Sequence, residues 1–316
     1  MQQWSKTYRI EQMMSGVMRI LNENLTADQK MHLKRIFDEA IERHLYQYYW
    51  KSLGLYDWKV RVEERRNEVP FAKAVLQSFE KLSGISLKGK RMLDVGCGWG
   101  GYVVAASQLG ADIYGCDVDE KVLEVARLRA QLHEVNSNYF HCQAEKLPFA
   151  DEEFDCVLNW SVLEHVRDVD LTVKEIARVL KKGGVGFICA PNYWQPVEHH
   201  YKVLFPPKCP KSLGKLYLRL LGRPTEFLDT INYIDHKMVK NGFEKCGIEV
   251  EDIERRFWGT LRRLYVSPPK SSNLDVSVPW SYNRLVGKIF APRMVRIVEI
   301  VLNIRQICFV IRKPLI

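Results

Sequence analysis

The stretch RMLDVGCGWGG at positions 91–101 constrains this chain more than any other. Met92, Leu93 and Val95 read as a short buried strand with Asp94 just before its end. Gly96, Gly98, Gly100 and Gly101 follow as a turn almost free of side chains, and Tyr102-Val103-Val104-Ala105-Ala106 begins a helix. Glycines at such a place let the backbone turn sharply and let a ligand approach the main chain closely. Strand, glycine turn and helix in this order make the nucleotide-binding corner of a doubly wound sheet.

The spacing alone fits two ligands. Gly96, Gly98 and Gly101 satisfy G-x-G-x-x-G, the dinucleotide fingerprint, whereas Asp94, Gly96, Gly98 and Gly100 satisfy D-x-G-x-G-x-G, the S-adenosylmethionine turn. A tight connection with no ligand is the third reading, at a cost in backbone entropy. Asp94 favours adenosylmethionine, because a carboxylate can answer the ammonium of a methionine moiety but repels a pyrophosphate.

The remaining pattern is that of an α/β chain. Asp112–Asp117 reads as a second strand ending in an acid, about 20 residues after the turn, where this fold places the carboxylate that accepts from ribose hydroxyls. Asp119 is the expected cap of a helix over 120–133, followed by a strand at 138–143. FDCVLNW at 154–160 is a fourth strand, 168–180 a helix closed by Lys181-Lys182-Gly183-Gly184, and 185–190 a fifth, fully apolar strand. Beyond an insertion at about 191–230, a helix is expected at 235–246, a strand at 248–257, loop at 258–285, an apolar helix at 295–304 and a closing edge strand, ICFVIR, at 307–312. Strands alternating with helices imply a mostly parallel sheet with ligand at the carboxyl ends of its strands. Residues 1–85 read as a helical cap or lid and 86–316 as the main domain. The aromatic cluster Leu45, Tyr46, Tyr48, Tyr49 and Trp50 is expected chiefly as core.

Composition narrows the class without choosing a function. Apolar residues at 47% and charged residues at 27% suit an ordinary globular protein. A net charge of +9 permits a polyanionic or anionic-membrane partner without requiring one. Eight cysteines include no C-x-x-C pair and no zinc-spaced Cys/His cluster, so Cys116, Cys142, Cys156 and Cys189 are expected as small core residues, and no metal site is indicated. The N-terminus lacks the apolar core of a signal peptide, and no run of about 18 uncharged apolar residues occurs, so a cytoplasmic protein is expected.

Taken together, LDVGCGWG, YGCD, AEKLPFADEEFDCVLNWSVLEHV and LKKGG resemble a class I S-adenosylmethionine-dependent methyltransferase of the small-molecule branch, related to ubiquinone-biosynthesis methyltransferases. The likeness covers roughly residues 90–200. It implies a Rossmann-like, seven-stranded sheet and a cofactor site, position by position. Asp94, Gly96, Cys97, Gly98 and Gly100 would hold the methionine part, Asp117 the ribose, and Val118 the adenine. Ala144 and Glu145 match the adenine-side motif, and Asn159, Trp160 and Ser161 stand where the fourth strand meets the transferring methyl.

Methyl transfer from an activated sulfonium asks the protein for alignment, exclusion of water and, for a protonated acceptor, a base. His165 just past the fourth strand, and His199, His200 and Tyr201 in the insertion, are the candidate bases. The acceptor is expected to be a small or lipid-linked metabolite. The chain has Asn159-Trp160-Ser161-Val162 where nucleic-acid amino-methylating enzymes carry [DNS]-P-P-[YF], which argues against nucleic acid. CGWGG with Glu164-His165 also resembles cyclopropane fatty-acid synthases, and the basic helix at 213–221 and apolar helix at 295–304 could touch an anionic bilayer. A protein that binds the cofactor without transferring methyl is a further alternative, and an NAD-dependent reductase a weaker one. Oligomeric state is not legible.

Overall fold

The computed structural model describes residues 25–265 and 306–315. Its centre is β1 (Arg91–Val95), whose last four residues are buried, paired in parallel with β2 (Asp112–Asp117) on one side and β4 (Phe154–Trp160) on the other. β3 (Asn138–His141) adds to β2, and β5 (Leu180–Ala190) to β4, both in parallel. β9 (Ile307–Arg312) runs antiparallel to β5 and to β8 (Glu249–Asp252), which completes the seven-stranded order β3-β2-β1-β4-β5-β9-β8. Chain direction across the sheet switches at β1, so the crevice beyond the carboxyl ends of β1 and β4 is where this topology leaves room for a ligand.

Helices cover both faces. α3 (Glu68–Ser83), α4 (Gly101–Gln108) and α9 (Glu254–Leu264) pack on one, while α6 (Val169–Val179) and α8 (His236–Lys245) pack together on the other. α5 (Glu120–Leu132) starts at Asp119, whose side chain accepts from Lys121 N, as expected. Three expectations are corrected. The helix before β5 ends at Val179, and Lys181–Gly184 belong to the start of the strand, irregularly paired with β4, with Gly183 at φ 72°. The strand expected at 248–257 is only Glu249–Asp252, and the end of that segment and the start of the expected loop form α9, where Phe257 and Leu261, with Ile253 just before the helix, bury one face at a spacing of four. β9 is not an edge strand. Its first five residues, Ile307–Ile311, are all buried, as a strand paired on both sides and covered on both faces requires. The apolar helix expected at 295–304 lies outside the described residues.

The N-terminal elements stand over the crevice. Thr26 opens α1 (Ala27–Leu45) with a capping box closed by Gln29, and the helix runs into a π-helical turn, Tyr46–Ser52, before α2 (Trp58–Arg66). α1 lies on α5: the buried Arg129 guanidinium stacks 5.1 Å from the Phe37 ring and donates to Arg65 O at 2.7 Å. Opposite, the insertion forms a hairpin of β6 (Val197–Glu198) and β7 (Val203–Leu204), then α7 (Lys211–Leu220) and a 3-10 turn, Glu226–Thr230.

Candidate active site

The glycine turn is built by hydrogen bonds to β2. Gly96 N and Cys97 N both donate to Cys116 O, at 2.8 and 2.9 Å, and Gly98 N donates to Asp117 Oδ2 at 3.0 Å. Gly96 and Gly98 have φ of 75° and 51°, the left-handed region that favours glycine. Their surroundings differ. A Cβ on Gly96 would stand 2.3 Å from Val162 Cγ2, whereas one on Gly98 would meet nothing within 4 Å. Gly96 is closed by packing; Gly98 faces open space.

That space is a cavity of about 1050 Å³ at the carboxyl ends of the central strands. Its floor includes Gly96, Cys97 and Gly98, with Asp117 and Val118 at the end of β2. Ala144 and Glu145 line it after β3, and Trp160, Ser161, Glu164 and His165 after β4. Tyr48, Tyr49, Arg61 and Arg65 come from the N-terminal elements, and His199, His200, Lys202 and Phe227 from the insertion. The aromatic cluster therefore divides: Tyr48 and Tyr49 form wall, while Tyr46 packs on Trp58 and Trp50 on Tyr56. Cys116 and Cys142 also line the cavity, and all eight cysteines are free.

Four expected residues lie elsewhere. Asp94 is buried behind the turn, its carboxyl raised well above the usual range by desolvation and by Asp117 and Glu68. Gly100 packs on α5, where a Cβ would meet Tyr139 Oη at 2.8 Å and Ala126 Cβ at 2.9 Å. Asn159 is fully buried, and its amide donates to Val95 O at 3.3 Å, carrying the β1–β4 pairing one step further. Tyr201 is fully buried with its ring 6.3 Å from Phe227. Close packing surrounds Gly100 and Tyr201, and the Val95 carbonyl holds Asn159.

Two of the candidate bases, His165 and His200, join Glu198 in one hydrogen-bonded chain. Glu198 Oε1 lies 2.9 Å from His200 Nδ1, and His200 Nε2 lies 3.1 Å from His165 Nε2. Glu198 Oε2 accepts from the backbone of His200 at 2.8 Å and of Tyr201 at 2.6 Å. Burial works to raise the Glu198 carboxyl, but His200 and these donors hold it below its ordinary value. An ionised Glu198 accepts from Nδ1–H of His200, so His200 Nε2 accepts from His165 Nε2–H, and the lone pair of His165 sits on Nδ1. Desolvation and the neighbouring His200 push His165 down, keeping it neutral. Buried Glu164, with an oxygen 3.9 Å from His165 Nε2, is pushed up to about 7 by desolvation. Glu164, His165 and His200 each offer an atom within 4.8 Å of the others, a spacing that suits a divalent cation. His199 is instead tied to Gln195. Lys202 is pushed down to about 8 by desolvation and Arg61. Glu198 and Lys202 are the residues sequence reasoning missed; the only signal was a carboxylate and an ammonium flanking two adjacent histidines.

Residues 93–188, from β1 to β5, match the family model described as a methyltransferase domain. This segment is a methyltransferase domain. The ubiquinone biosynthesis O-methyltransferase of Sinorhizobium fredii is 42% identical over 106 residues, 34% of this chain and 43% of that protein. The enzyme of the same name from Mesorhizobium japonicum is 34% identical over 155 residues, 43% of this chain and 62% of that protein. The chain thus spans about two to three fifths of the length of these relatives. Among solved structures, an S-adenosylmethionine-dependent methyltransferase from Mesorhizobium loti superposes with a TM-score of 0.46 and 18% identity, covering 78% of this chain and 97% of that one. The matched methyltransferase domain holds the glycine turn, Asp117, Glu145 and His165, and stops short of the hairpin that carries Glu198, His200 and Lys202.

Proposed function

We propose that the protein transfers the methyl group of S-adenosylmethionine to a small-molecule or lipid-linked acceptor enclosed beneath the N-terminal elements and the 191–230 insertion. The observation that carries this reading is that the open face of Gly98 and the two imidazoles, His165 and His200, share one cavity, with Glu198 buried behind His200. The residues fit the cofactor. Each Asp117 oxygen accepts one backbone N–H, from Gly98 and Asp119, and keeps a lone pair for a ribose hydroxyl. Val118 is 61% exposed beside it, an apolar surface suited to the adenine. When bound, S-adenosylmethionine supplies a methyl carbon on a sulfonium sulfur that needs only an aligned nucleophile. The chain's own part is to orient the acceptor, exclude water and receive its proton at His165 Nδ1. Ionised Glu198, acting through His200, and Glu164 stabilise the imidazolium so formed.

The test is calorimetric titration with S-adenosylhomocysteine, followed by methyl transfer to an acceptor panel. Asp117→Ala should weaken binding, and His165→Ala should leave binding intact while lowering turnover. A folded protein that binds no S-adenosylhomocysteine refutes the reading, and binding without any product in the panel favours the non-catalytic alternative.

One observation supports a membrane-borne acceptor. α7 turns Leu213, Leu216 and Leu220 to solvent at 58%, 54% and 79% exposure, alongside Lys211, Lys215 and Arg219. An apolar stripe with basic flanks suits the surface of an anionic bilayer. Among the described residues no helix is long and apolar enough to cross one. Sedimentation with phosphatidylglycerol vesicles, lost on replacing the three leucines by serine, is the expected result; equal sedimentation of both forms refutes it.

A further inference from the structure

We propose that the cavity is built for an acceptor bearing an anionic group, a carboxylate or a phosphate, which Lys202 receives with Arg61 on the same cavity wall. Calling the ligand an acceptor rests on the methyl-transfer reading; the anion site itself does not.

Three cationic side chains, two from α2 and one from the hairpin turn, line one cavity. The nearby acids are already engaged. Asp57 grips Arg61 through two oxygens, at 3.2 and 2.8 Å. Glu198 is occupied by His200 and two backbone N–H groups. Arg65 donates to Tyr49 Oη at 3.3 Å, stacks 5.6 Å from the Trp99 ring and stands 3.7 Å from Glu68. Lys202 has no hydrogen bond or ion pair to its ammonium among the described residues. An ammonium withdrawn from water without a counter-ion is costly, and an incoming anion supplies the missing partner.

Backbone geometry supports the same reading. Lys202 has φ of 56°, a left-handed conformation that is unfavourable for a non-glycine residue. Such strain collects at ligand sites. Here the conformation closes the turn in which Lys202 N donates to Glu198 O at 2.9 Å, and it keeps the lysine on the cavity wall with His199 and His200.

The cofactor's own carboxylate is the competing anion. Arg65 stacks on Trp99 beside the glycine turn and so belongs to the methionine end. Lys202 comes from the insertion, two residues from His200, where the acceptor's proton would be taken. An acceptor held there would present its nucleophile to His165 and its anionic group to Lys202.

The test titrates S-adenosylhomocysteine-saturated protein with inorganic phosphate and, separately, with benzoate, following the heat. Wild type should bind at least one of them. Lys202→Asn, a residue that tolerates the left-handed backbone, should weaken that binding by roughly tenfold or more through loss of a charge-assisted contact. Lys202→Arg should restore it, and neither variant should change affinity for S-adenosylhomocysteine. The stronger of the two anions tells a phosphorylated acceptor from a carboxylated one. Absence of anion binding in protein that binds S-adenosylhomocysteine overturns the proposal alone, as does equal anion binding by Lys202→Asn. A parallel loss of S-adenosylhomocysteine affinity in that variant also overturns it, by giving Lys202 to the cofactor. If wild type binds no S-adenosylhomocysteine, the methyl-transfer reading fails, and the same titrations on ligand-free protein decide the anion site.

Discussion

Two glycines in one turn, both left-handed, should respond oppositely to the same substitution. Gly96→Ala and Gly98→Ala each incur about 1–2 kcal/mol for a left-handed alanine. At Gly96 the new Cβ also meets Val162 Cγ2 at 2.3 Å and Cγ1 at 2.8 Å, and Val162 sits between β4 and the Glu164–His165 pair. Overpacking of this kind adds about 1–3 kcal/mol, for a total of about 2–5 kcal/mol. At roughly 2–4 °C per kcal/mol, Gly96→Ala should lower Tm by about 4–20 °C and Gly98→Ala by only a few degrees. Gly84, at φ 73° with nothing within 4 Å of its Cβ, ends α3 away from the cavity, so Gly84→Ala measures the backbone cost alone. Gly98→Ala should match Gly84→Ala in stability yet bind S-adenosylhomocysteine about 5- to 150-fold more weakly, as 1–3 kcal/mol of crowding implies. Thermal unfolding and calorimetry on the three variants read both quantities. Wild-type binding by Gly98→Ala would refute a cofactor lying against that Cα. Wild-type stability in Gly96→Ala would refute the packing account of the turn.

The buried Glu164 carboxyl binds its proton more tightly folded than unfolded, about 7 against 4.5, so its contribution to stability is lost as pH rises through that window. The loss amounts to about 3 kcal/mol at 1.36 kcal/mol per unit, so Glu164→Gln should raise Tm at pH 8 relative to wild type and do so less at pH 5. In activity the sign reverses: ionised Glu164 favours a cation on His165, so kcat/KM should climb through pH about 7 and flatten in Glu164→Gln. Glu198→Gln should lower kcat on the order of 100-fold with S-adenosylhomocysteine affinity unchanged; an unaltered kcat would remove the His200 relay. Dialysis against EDTA should leave turnover intact if His165 acts as the base with Glu164 beside it, whereas a loss restored by a divalent cation would assign Glu164, His165 and His200 to a metal.

Much of the fold was legible because its signals are local. β1, β2 and β4 are apolar runs, each ending in a turn or an acid, and Asp119 caps its helix as its position predicts. The errors arose where a local signal served two structures. Lys181-Lys182-Gly183-Gly184 has the composition of a helix end, yet Glu152 N and Glu153 N donate to the carbonyls of Arg178 and Val179 and pull the chain into the sheet early. ICFVIR names a strand but not its neighbours; its lack of apolar–polar alternation was the cue that it is covered on both faces, while its pairing on both edges had no side-chain signal.

The site divides along the same line. Gly98, Asp117, Val118 and Glu145 follow from a motif, because they lie at or just beyond the ends of β1, β2 and β3. Glu-His-His-Tyr at 198–201 could not be sorted by type, since consecutive residues in a hairpin turn face different ways. The turn itself does the sorting. Glu198 points inward and accepts from the two backbone N–H groups that follow it, which fixes the bend. That bend sends Tyr201 into the core, ties His199 to Gln195 and brings His200 against His165. The same carboxylate therefore shapes the turn and orients the imidazole, leaving Lys202 alone on the wall with its charge unanswered.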